Sequence, residues 1–203
     1  MRKIAVDVAL LLPEEIADLA IELNRSFLGS ETNKIILGKK EGEAMPHSSL
    51  NMGCVEESEL PKLIEILSGI GKHFSSLDLE FYGIDTEKIR VDTIVSSLGI
   101  KKGEELRTFH EEVMNKLKAI FSRDASREMF FSPPPVSLEE FSYINKFYEM
   151  AAFEKFYPHV TLGLGEIRDS KIKFPIKFKA STLAVCHLGD YYTCRKILWS
   201  MKF

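Results

Sequence analysis

Two segments of the sequence place a histidine two positions before a hydroxyl side chain, among residues that favour β-strands. Residues 46–53 read PHSSLNMG and residues 158–165 read PHVTLGLG, and the two align without a gap, 112 residues apart. Alternate side chains of a strand point to the same face, so His47 should lie beside Ser49 and His159 beside Thr161. A pattern repeated in this way predicts one site assembled from two halves of the chain.

A pair of imidazoles with a pair of hydroxyls suits displacement at a phosphodiester. Imidazole titrates near neutrality, so one histidine can accept a proton while the other, still charged, donates one. The hydroxyls can donate hydrogen bonds to the non-bridging phosphate oxygens, where negative charge develops. His47 and His159 are therefore predicted to be the general base and general acid, in either order, and Ser49 and Thr161 to bind phosphate.

The repetition, rather than either copy alone, carries the functional signal. With ordinary composition, a given histidine is followed at +2 by Ser or Thr and at +3 by an apolar residue in roughly 0.05 of cases. Two such hits among five histidines arise by chance in about one chain in forty. The motifs come with no third ligand and no paired-histidine spacing, so neither a metal nor another cofactor is expected.

Several side chains near the motifs are candidates for holding a nucleotide. Tyr157 and Tyr192 can stack on a base or ribose, as can Tyr191, because aromatic faces bind any base; isolated tyrosines also serve as packing residues. Arg195 and Lys196 can reach a phosphate but also fit the solvated end of a strand. His73 and His110 fall on predicted helices, and His187 has no partner at the motif spacing, so all three are interpreted as structural or solvent-facing.

Composition favours an ordinary protein of the cytoplasm. A net charge of −3 over 203 residues argues against a broadly basic nucleic-acid-binding surface, although not against a small phosphate pocket. Asp7 interrupts the first apolar run, and no run approaches the ~20 residues needed to cross a bilayer. Cys54, Cys186 and Cys194 have neither disulfide nor zinc spacing and are expected to be buried free thiols.

Hydrophobic periodicity predicts strands interleaved with four helices. The predicted strands cover 4–12, 47–54, 77–82, 89–95, 159–165, 171–180, 182–188 and 196–203, with a turn around 83–85. The predicted helices cover 13–29, with Gly29 as the stop, a segment starting at Ser58, 103–121 and 137–153. Residues 122–135 are the candidate for a mobile connection. Several strand pairs have connections too short for a parallel crossover, so an α+β (mixed α/β) fold with largely antiparallel sheets is expected.

The doubled motif, with Phe156-Tyr157 leading into the second copy, resembles the two-histidine (2H) phosphoesterase superfamily, which includes 2'-5' RNA ligase-like proteins and cyclic nucleotide phosphodiesterases. The resemblance extends to the first strand and helix and to residues 188–199, whereas 86–135 match no known pattern. It implies a bilobal fold with pseudo-twofold symmetry, with one motif per lobe facing a central cleft. It also implies catalysis without a metal, and carries over to His47, Ser49, His159 and Thr161.

The resulting hypothesis treats 1–203 as a single bilobal domain and a monomer that does not associate with membranes. Its activity would be metal-independent hydrolysis of a 2',3'-cyclic phosphate or of a related 2'-linked nucleotide or RNA end. One alternative is a reversible 2'-5' RNA ligase, and another is a nucleotide-binding module without catalysis. A structural or assembly role with incidental motifs is the remaining alternative.

Overall fold

The computed structural model describes residues 2–27, 33–90, 93–131, 138–167 and 171–203. Within them the strands are β1 (Lys3–Leu11), β2 (His47–Glu56), β3 (Leu77–Arg90), β4 (Thr93–Ile100), β5 (His159–Leu164), β6 (Ile176–Ala180), β7 (Thr182–Leu188) and β8 (Cys194–Lys202). The α-helices are α1 (Glu14–Arg25), α2 (Leu60–Gly71), α3 (Glu104–Leu117), α4 (Leu138–Asn145) and α5 (Phe147–Met150). Single 3₁₀ turns cover 57–59, 127–129, 153–155 and 190–192.

The strands form two four-stranded sheets in which every pairing is antiparallel. The first sheet has the order β2-β1-β7-β8 and the second the order β5-β4-β3-β6. Each sheet therefore carries one histidine motif on an edge strand and pairs it with a central strand. The predicted α+β architecture with two antiparallel sheets is confirmed.

Strand register relates the two sheets by a pseudo-twofold operation. In the first sheet Leu11 pairs with His47 and Ala9 with Ser49. In the second sheet Gly99 pairs with His159 and Ser97 with Thr161. The two central strands are thus offset by a constant 88 residues and the two motif strands by a constant 112. Residues that align between the two motifs in the sequence therefore occupy equivalent positions in the two sheets.

Each central strand is followed by a helix that packs against the motif strand of the opposite sheet. Helix α1 follows β1 and contacts β5, whereas α3 follows β4 and contacts β2. Helix α1 buries one apolar face, including Ile16, Ala20 and Leu23, as expected for an amphipathic helix on a sheet. This exchange of helices links the two sheets through a common core.

Several predicted elements differ in the structure. The strand predicted over 89–95 is wrong, because β3 ends at Arg90, β4 begins at Thr93, and these two residues pair. The predicted turn at 83–85 is wrong, because β3 continues through it and pairs with β4, Gly83 opposite Gly99 and Asp85 opposite Ser97. The single helix predicted over 137–153 is also wrong, because Lys146 departs from helical geometry (φ −108°, ψ 12°) between α4 and α5. The predicted stop at Gly29 and the prolines at 133–135 lie outside the described residues.

The described helices are too short or too polar for any of them to span a bilayer. The three cysteines are buried free thiols, as predicted. Among the remaining histidines, His110 and His187 are buried inside the fold, which agrees with a structural role, whereas His73 lies exposed after the end of α2.

Candidate active site

The two motif strands contact each other and form the floor of one cleft. The cleft has a volume of about 1030 Å³, and its lining includes His47, Ser49, His159 and Thr161. All four side chains are partly exposed, whereas the residues between them, Ser48 and Val160, are buried. The predicted alternation is therefore present, and the structure brings both predicted pairs to one cavity.

A β-bulge interrupts the pairing of each motif strand at the same position of the repeat. Between the pairs Ala9–Ser49 and Val8–Asn51 the register skips Leu50, and between Ser97–Thr161 and Ser96–Gly163 it skips Leu162. A bulge bends a strand locally and re-aims its side chains. The bulges thus set the direction in which the neighbouring motif side chains leave the sheets.

A buried polar side chain from the opposite half satisfies the carbonyl of each bulged leucine. Asn24 of α1 donates its amide to the Leu162 carbonyl at 2.6 Å. His110 of α3 donates from Nδ1 to the Leu50 carbonyl at 2.9 Å, while its Nε2 accepts the Phe153 N–H at 3.0 Å. Buried backbone groups need such partners. Because both ring nitrogens of His110 are used in this way, its imidazole must be neutral.

Both motif histidines are held by the backbone carbonyl two residues earlier. The Nδ1 atom of His47 lies 2.6 Å from the Met45 carbonyl oxygen, and that of His159 lies 2.8 Å from the Tyr157 carbonyl oxygen. A carbonyl only accepts, so Nδ1 carries the proton in each ring. Nε2 is therefore the nitrogen left for proton transfer in both arms.

Asp7 lies behind the first motif and was not among the predicted site residues. Its Oδ2 accepts the Ser49 hydroxyl at 2.7 Å and lies 3.3 Å from Nε2 of His47, and its side chain is 0% exposed. Burial raises the pKa of the Asp7 carboxyl against its hydrogen bonds from His47 and Ser49. The available signal was an acidic residue at the centre of an apolar strand.

The environments of the two motif histidines shift their pKa values in opposite directions. Burial acts against charge on His47, but the hydrogen bond and the negative charge of Asp7 outweigh it, so the pKa of His47 is raised. Burial lowers the pKa of His159, and the charge of His47 acts the same way, against the hydrogen bond to Tyr157. Two titratable groups whose pKa values are shifted in opposite directions can serve as acid and base.

Tyr157 supports the second motif rather than standing free in the cleft. Its ring stacks on His159 with centroids 5.1 Å apart and an interplanar angle of 25°. Its hydroxyl and that of Tyr82 both donate to Asp85, and the two hydroxyl oxygens are 3.2 Å apart. One ring face of Tyr157 is therefore occupied by His159.

The walls of the cleft contribute aromatic rings and two lysines. The ring centroids of Tyr192 and Tyr143 of α4 lie 4.8 Å apart, and both residues line the cleft, as do Tyr191, Lys34 and Lys88.

The predicted phosphate-binding candidates Arg195 and Lys196 make contacts with other residues. Arg195 donates to Asp190 and to the Gly42 carbonyl, and Lys196 lies 3.1 Å from Glu41.

In the described part of the chain, one cluster of three side chains offers atoms of the kind that bind metals. These atoms of Asp7, His47 and Cys194 lie within 4.8 Å of one another. All three belong to the first sheet, and Asp7 already receives the Ser49 hydroxyl. An ion held there would take its His47 ligand at Nε2, because Nδ1 is hydrogen-bonded to the Met45 carbonyl. The contacts of Asp7 with Ser49 and His47 fit a hydrogen-bonded support for the first motif.

Comparison with known proteins identifies the class of fold. No family model matches the sequence, and no curated protein matches it. Solved structures of 2H phosphoesterases match it over nearly its whole length. The chain therefore has the 2H phosphoesterase fold, and the resemblance predicted from the doubled motif is confirmed for the fold.

Two proteins represent these neighbours. TT0787 of Thermus thermophilus aligns with a TM-score of 0.59 and 14% identity, over 98% of this chain and 97% of its own. E. coli LigT complexed with NADP+ aligns with a TM-score of 0.58 and 13% identity, over 100% of this chain and 99% of its own. LigT complexed with 3'-AMP aligns with a TM-score of 0.52 and 12% identity, over 100% and 99%.

Proposed function

We propose that this protein is a metal-independent phosphodiesterase that hydrolyses a 2',3'-cyclic phosphate or a related 2'-linked nucleotide or RNA end. The observation that carries the proposal is the meeting of two equivalent His-x-Ser/Thr arms in one cleft. The proposal treats 1–203 as one catalytic unit, because each sheet supplies only one arm.

The two arms supply the groups that the reaction needs. One histidine removes a proton from water through Nε2 as the water oxygen bonds to phosphorus, and the other donates its Nε2 proton to the ribose oxygen as the phosphorus–oxygen bond breaks. The hydroxyls of Ser49 and Thr161 donate to the non-bridging oxygens, whose charge grows in the transition state. No step of this sequence requires a metal.

The cleft also suits a nucleotide. E. coli LigT, which has the same fold, has been solved with 3'-AMP and with ATP. In the present chain the aromatic pair Tyr143–Tyr192 lies on the cleft wall, where a base or ribose can stack. The ammonium groups of Lys34 and Lys88, which line the cleft and are exposed, are suitable partners for further phosphates.

The test is hydrolysis of the four 2',3'-cyclic nucleotides by purified protein in excess EDTA. We expect a nucleoside monophosphate as product, at a rate unchanged by the chelator. His47→Ala and His159→Ala should each reduce kcat at least ~10²-fold, the usual scale for a general acid or base. His73→Ala, which replaces an exposed histidine outside the cleft, is the matched control and should retain wild-type activity.

Two results would contradict the proposal. Loss of activity in EDTA with recovery on adding a divalent metal would exclude the metal-independent mechanism. Binding of AMP or of a cyclic nucleotide in calorimetry, with no turnover of any substrate, would favour a non-catalytic nucleotide-binding module instead.

Reversible 2'-5' RNA ligation is the second candidate, favoured by the fold shared with LigT. It uses the same groups, because the acid and base exchange roles when a 2' oxygen attacks or leaves the phosphorus. Incubation with a 2'-5'-linked dinucleotide, and with RNA ends carrying a 2',3'-cyclic phosphate and a 5' hydroxyl, distinguishes the two. Joined product that accumulates faster than hydrolysed ends would favour the ligase.

A further inference from the structure

The two arms carry different side chains at an equivalent position behind the motifs. Asp7 pairs with Met52 in the first sheet, and Val95 pairs with Leu164 in the second. These pairs are equivalent, because they follow the same strand offsets as the motif residues. One arm therefore has a carboxylate where the other has an isopropyl group, although the motifs themselves are nearly alike.

Asp7 is buried and contacts both motif side chains of the first arm. Its side chain is 0% exposed, and one oxygen, Oδ2, serves both motif side chains, accepting from Ser49 at 2.7 Å and lying 3.3 Å from Nε2 of His47. The Sγ of Cys194 lies 3.9 Å from the same oxygen. Oδ1 is buried and has no partner among the described residues. A buried carboxylate of this kind is costly unless it is paired.

We propose that Asp7 is the positioning residue of the first arm, orienting His47 and Ser49 through one oxygen and making His47 the proton donor and His159 the base. This inference rests on the proposed phosphodiesterase function and adds the assignment of roles that the near-equivalent motifs leave open.

Hydrogen-bond geometry carries the assignment. Nδ1–H of His47 is directed to the Met45 carbonyl, so a proton must lie between Nε2 and the Asp7 oxygen for the two to attract each other. Their separation of 3.3 Å is longer than the 2.7–2.9 Å of a strong charge-assisted bond, which leaves the proton available to the cleft. In the second arm Val95 takes this position, and no described residue is hydrogen-bonded to Nε2 of His159, which leaves its lone pair ready to accept a proton.

The other titratable groups around the first arm do not compete with Asp7. Cys186 lies opposite Asp7 on β7, and the thiol of Cys194 on β8 approaches the Asp7 carboxylate. Burial raises the pKa of Cys194 well above its usual range. Burial also raises the pKa of Tyr143, from α4, to about 12. Asp85 and Glu87 act on His159 from β3, but burial outweighs them. Asp7 is thus the one carboxylate in contact with His47 among the described residues.

The assigned step is balanced. His159 takes one proton from water, the water oxygen bonds to phosphorus, the bond from phosphorus to the ribose oxygen breaks, and that oxygen receives the proton of His47. The products leave with His47 neutral and His159 charged. Exchange of one proton with solvent at each ring restores the starting state.

The first experiment is an NMR titration of the ring nitrogens of both histidines in the substrate-free protein. In the wild type we expect His47 to remain protonated to a higher pH than His159. Asp7→Asn, which keeps the shape and removes the charge, should lower the pKa of His47. Asp78→Asn, a matched change at an exposed carboxylate paired with Lys179, should leave it unchanged. The reverse order in the wild type overturns the proposal, even if Asp7→Asn does not fold.

The second experiment compares leaving groups, because p-nitrophenolate departs without a proton. On a 2',3'-cyclic nucleotide, Asp7→Asn should lose about 10-fold or more in kcat and His47→Ala about 10²-fold. On thymidine 3'-(p-nitrophenyl phosphate) both should lose much less, whereas His159→Ala should be impaired on both substrates. Equal losses of Asp7→Asn on both substrates, or rescue of His159→Ala, overturn the assignment.

The two proposals fail separately. A wild-type protein that turns over neither substrate contradicts the phosphodiesterase function. The titration still decides the role of Asp7 in that case, since it needs no substrate.

Discussion

At the scale of single residues, the two arms share a sequence pattern but differ in how their hydroxyls are engaged. Ser49 donates its hydroxyl to Asp7 at 2.7 Å, whereas no described residue is hydrogen-bonded to the Thr161 hydroxyl. Both side chains line the cleft. Thr161 is therefore ready to donate to a phosphate oxygen, while Ser49 must exchange one acceptor for another when the substrate binds.

Replacing Thr161 tests this difference. Thr161→Val keeps the shape and removes the donor, so it should lower kcat about 10²-fold, as loss of one oxyanion donor does, with little change in the free energy of unfolding. Thr161→Ser retains the hydroxyl and should keep most of the activity. Equal activities of the valine and serine variants in steady-state assays of a cyclic nucleotide would show that Thr161 does not bind phosphate.

The pH dependence of kcat/KM follows from the two histidine shifts. His159 acts as a base only when neutral, and its pKa is lowered by burial, so the acid limb should lie below the usual histidine range. His47 acts as an acid only when protonated, and its pKa is raised by Asp7, so the alkaline limb should lie above that range. Asp7→Asn should move only the alkaline limb, toward lower pH. Movement of the acid limb instead would reverse the roles.

At the scale of elements, the sequence predicts the motif strands but not the bulges within them. The alternation of residues 47–49 and 159–161 is local, so it can be identified in the sequence. The bulges at Leu50 and Leu162 depend on Asn24 and His110, which approach from helices of the opposite half. Such long-range hydrogen bonds leave no periodic signal, and Asn24 was not singled out for that reason.

The continuation of β3 through residues 83–85 was not predicted from the sequence, for a similar reason. Gly83 and Asp85 are common turn residues, but pairing with β4 holds both in a strand. A side chain at Gly99 would collide with Tyr82 and Asp85, so this glycine allows the close approach that β3 needs. Tertiary pairing here overrides the local preference.

His110 should make stability depend on pH. Burial lowers its pKa to about 4 from the usual 6.5, so the unfolded chain takes up a proton more readily than the folded one. The stabilisation, on the order of 3 kcal/mol, is present above pH 6.5 and is lost as pH falls toward 4. Urea unfolding at pH 7.5 and at pH 5 measures this loss.

His110→Gln provides the comparison, because glutamine does not titrate. The variant should lose less stability than the wild type between the two pH values, and His73→Gln, at an exposed position, should behave as the wild type does. An unchanged pH dependence in His110→Gln would mean that other groups cause the loss.

At the scale of the whole molecule, the cleft exists only because two sheets and several loops meet. Its lining combines residues from 34 to 193, and this convergence could be predicted for the motifs alone, since only they repeat. Tyr143 was missed because nothing in α4 marks it as a cleft residue. Its contact with Tyr192 depends on the positions of α4 and the turn at 190–192.

The aromatic wall predicts an effect on binding rather than on chemistry. Tyr192→Ala should raise KM for a cyclic nucleotide about 10-fold, within the range of one lost stacking contact, with kcat nearly unchanged. Tyr192→Phe should keep the wild-type KM because the ring remains. Steady-state kinetics measure both constants, and a fall in kcat at constant KM would assign Tyr192 to the reaction instead of to the nucleotide.

The central claim is that the two histidine arms form one active site, and a double-mutant cycle tests it most directly. Rates of cyclic nucleotide hydrolysis in EDTA are measured for the wild type, His47→Ala, His159→Ala and the double variant. Groups that act as a unit are strongly non-additive, so the double variant should be nearly as active as either single variant. Losses that multiply, or a single variant with wild-type activity, would show that the arms do not share a reaction.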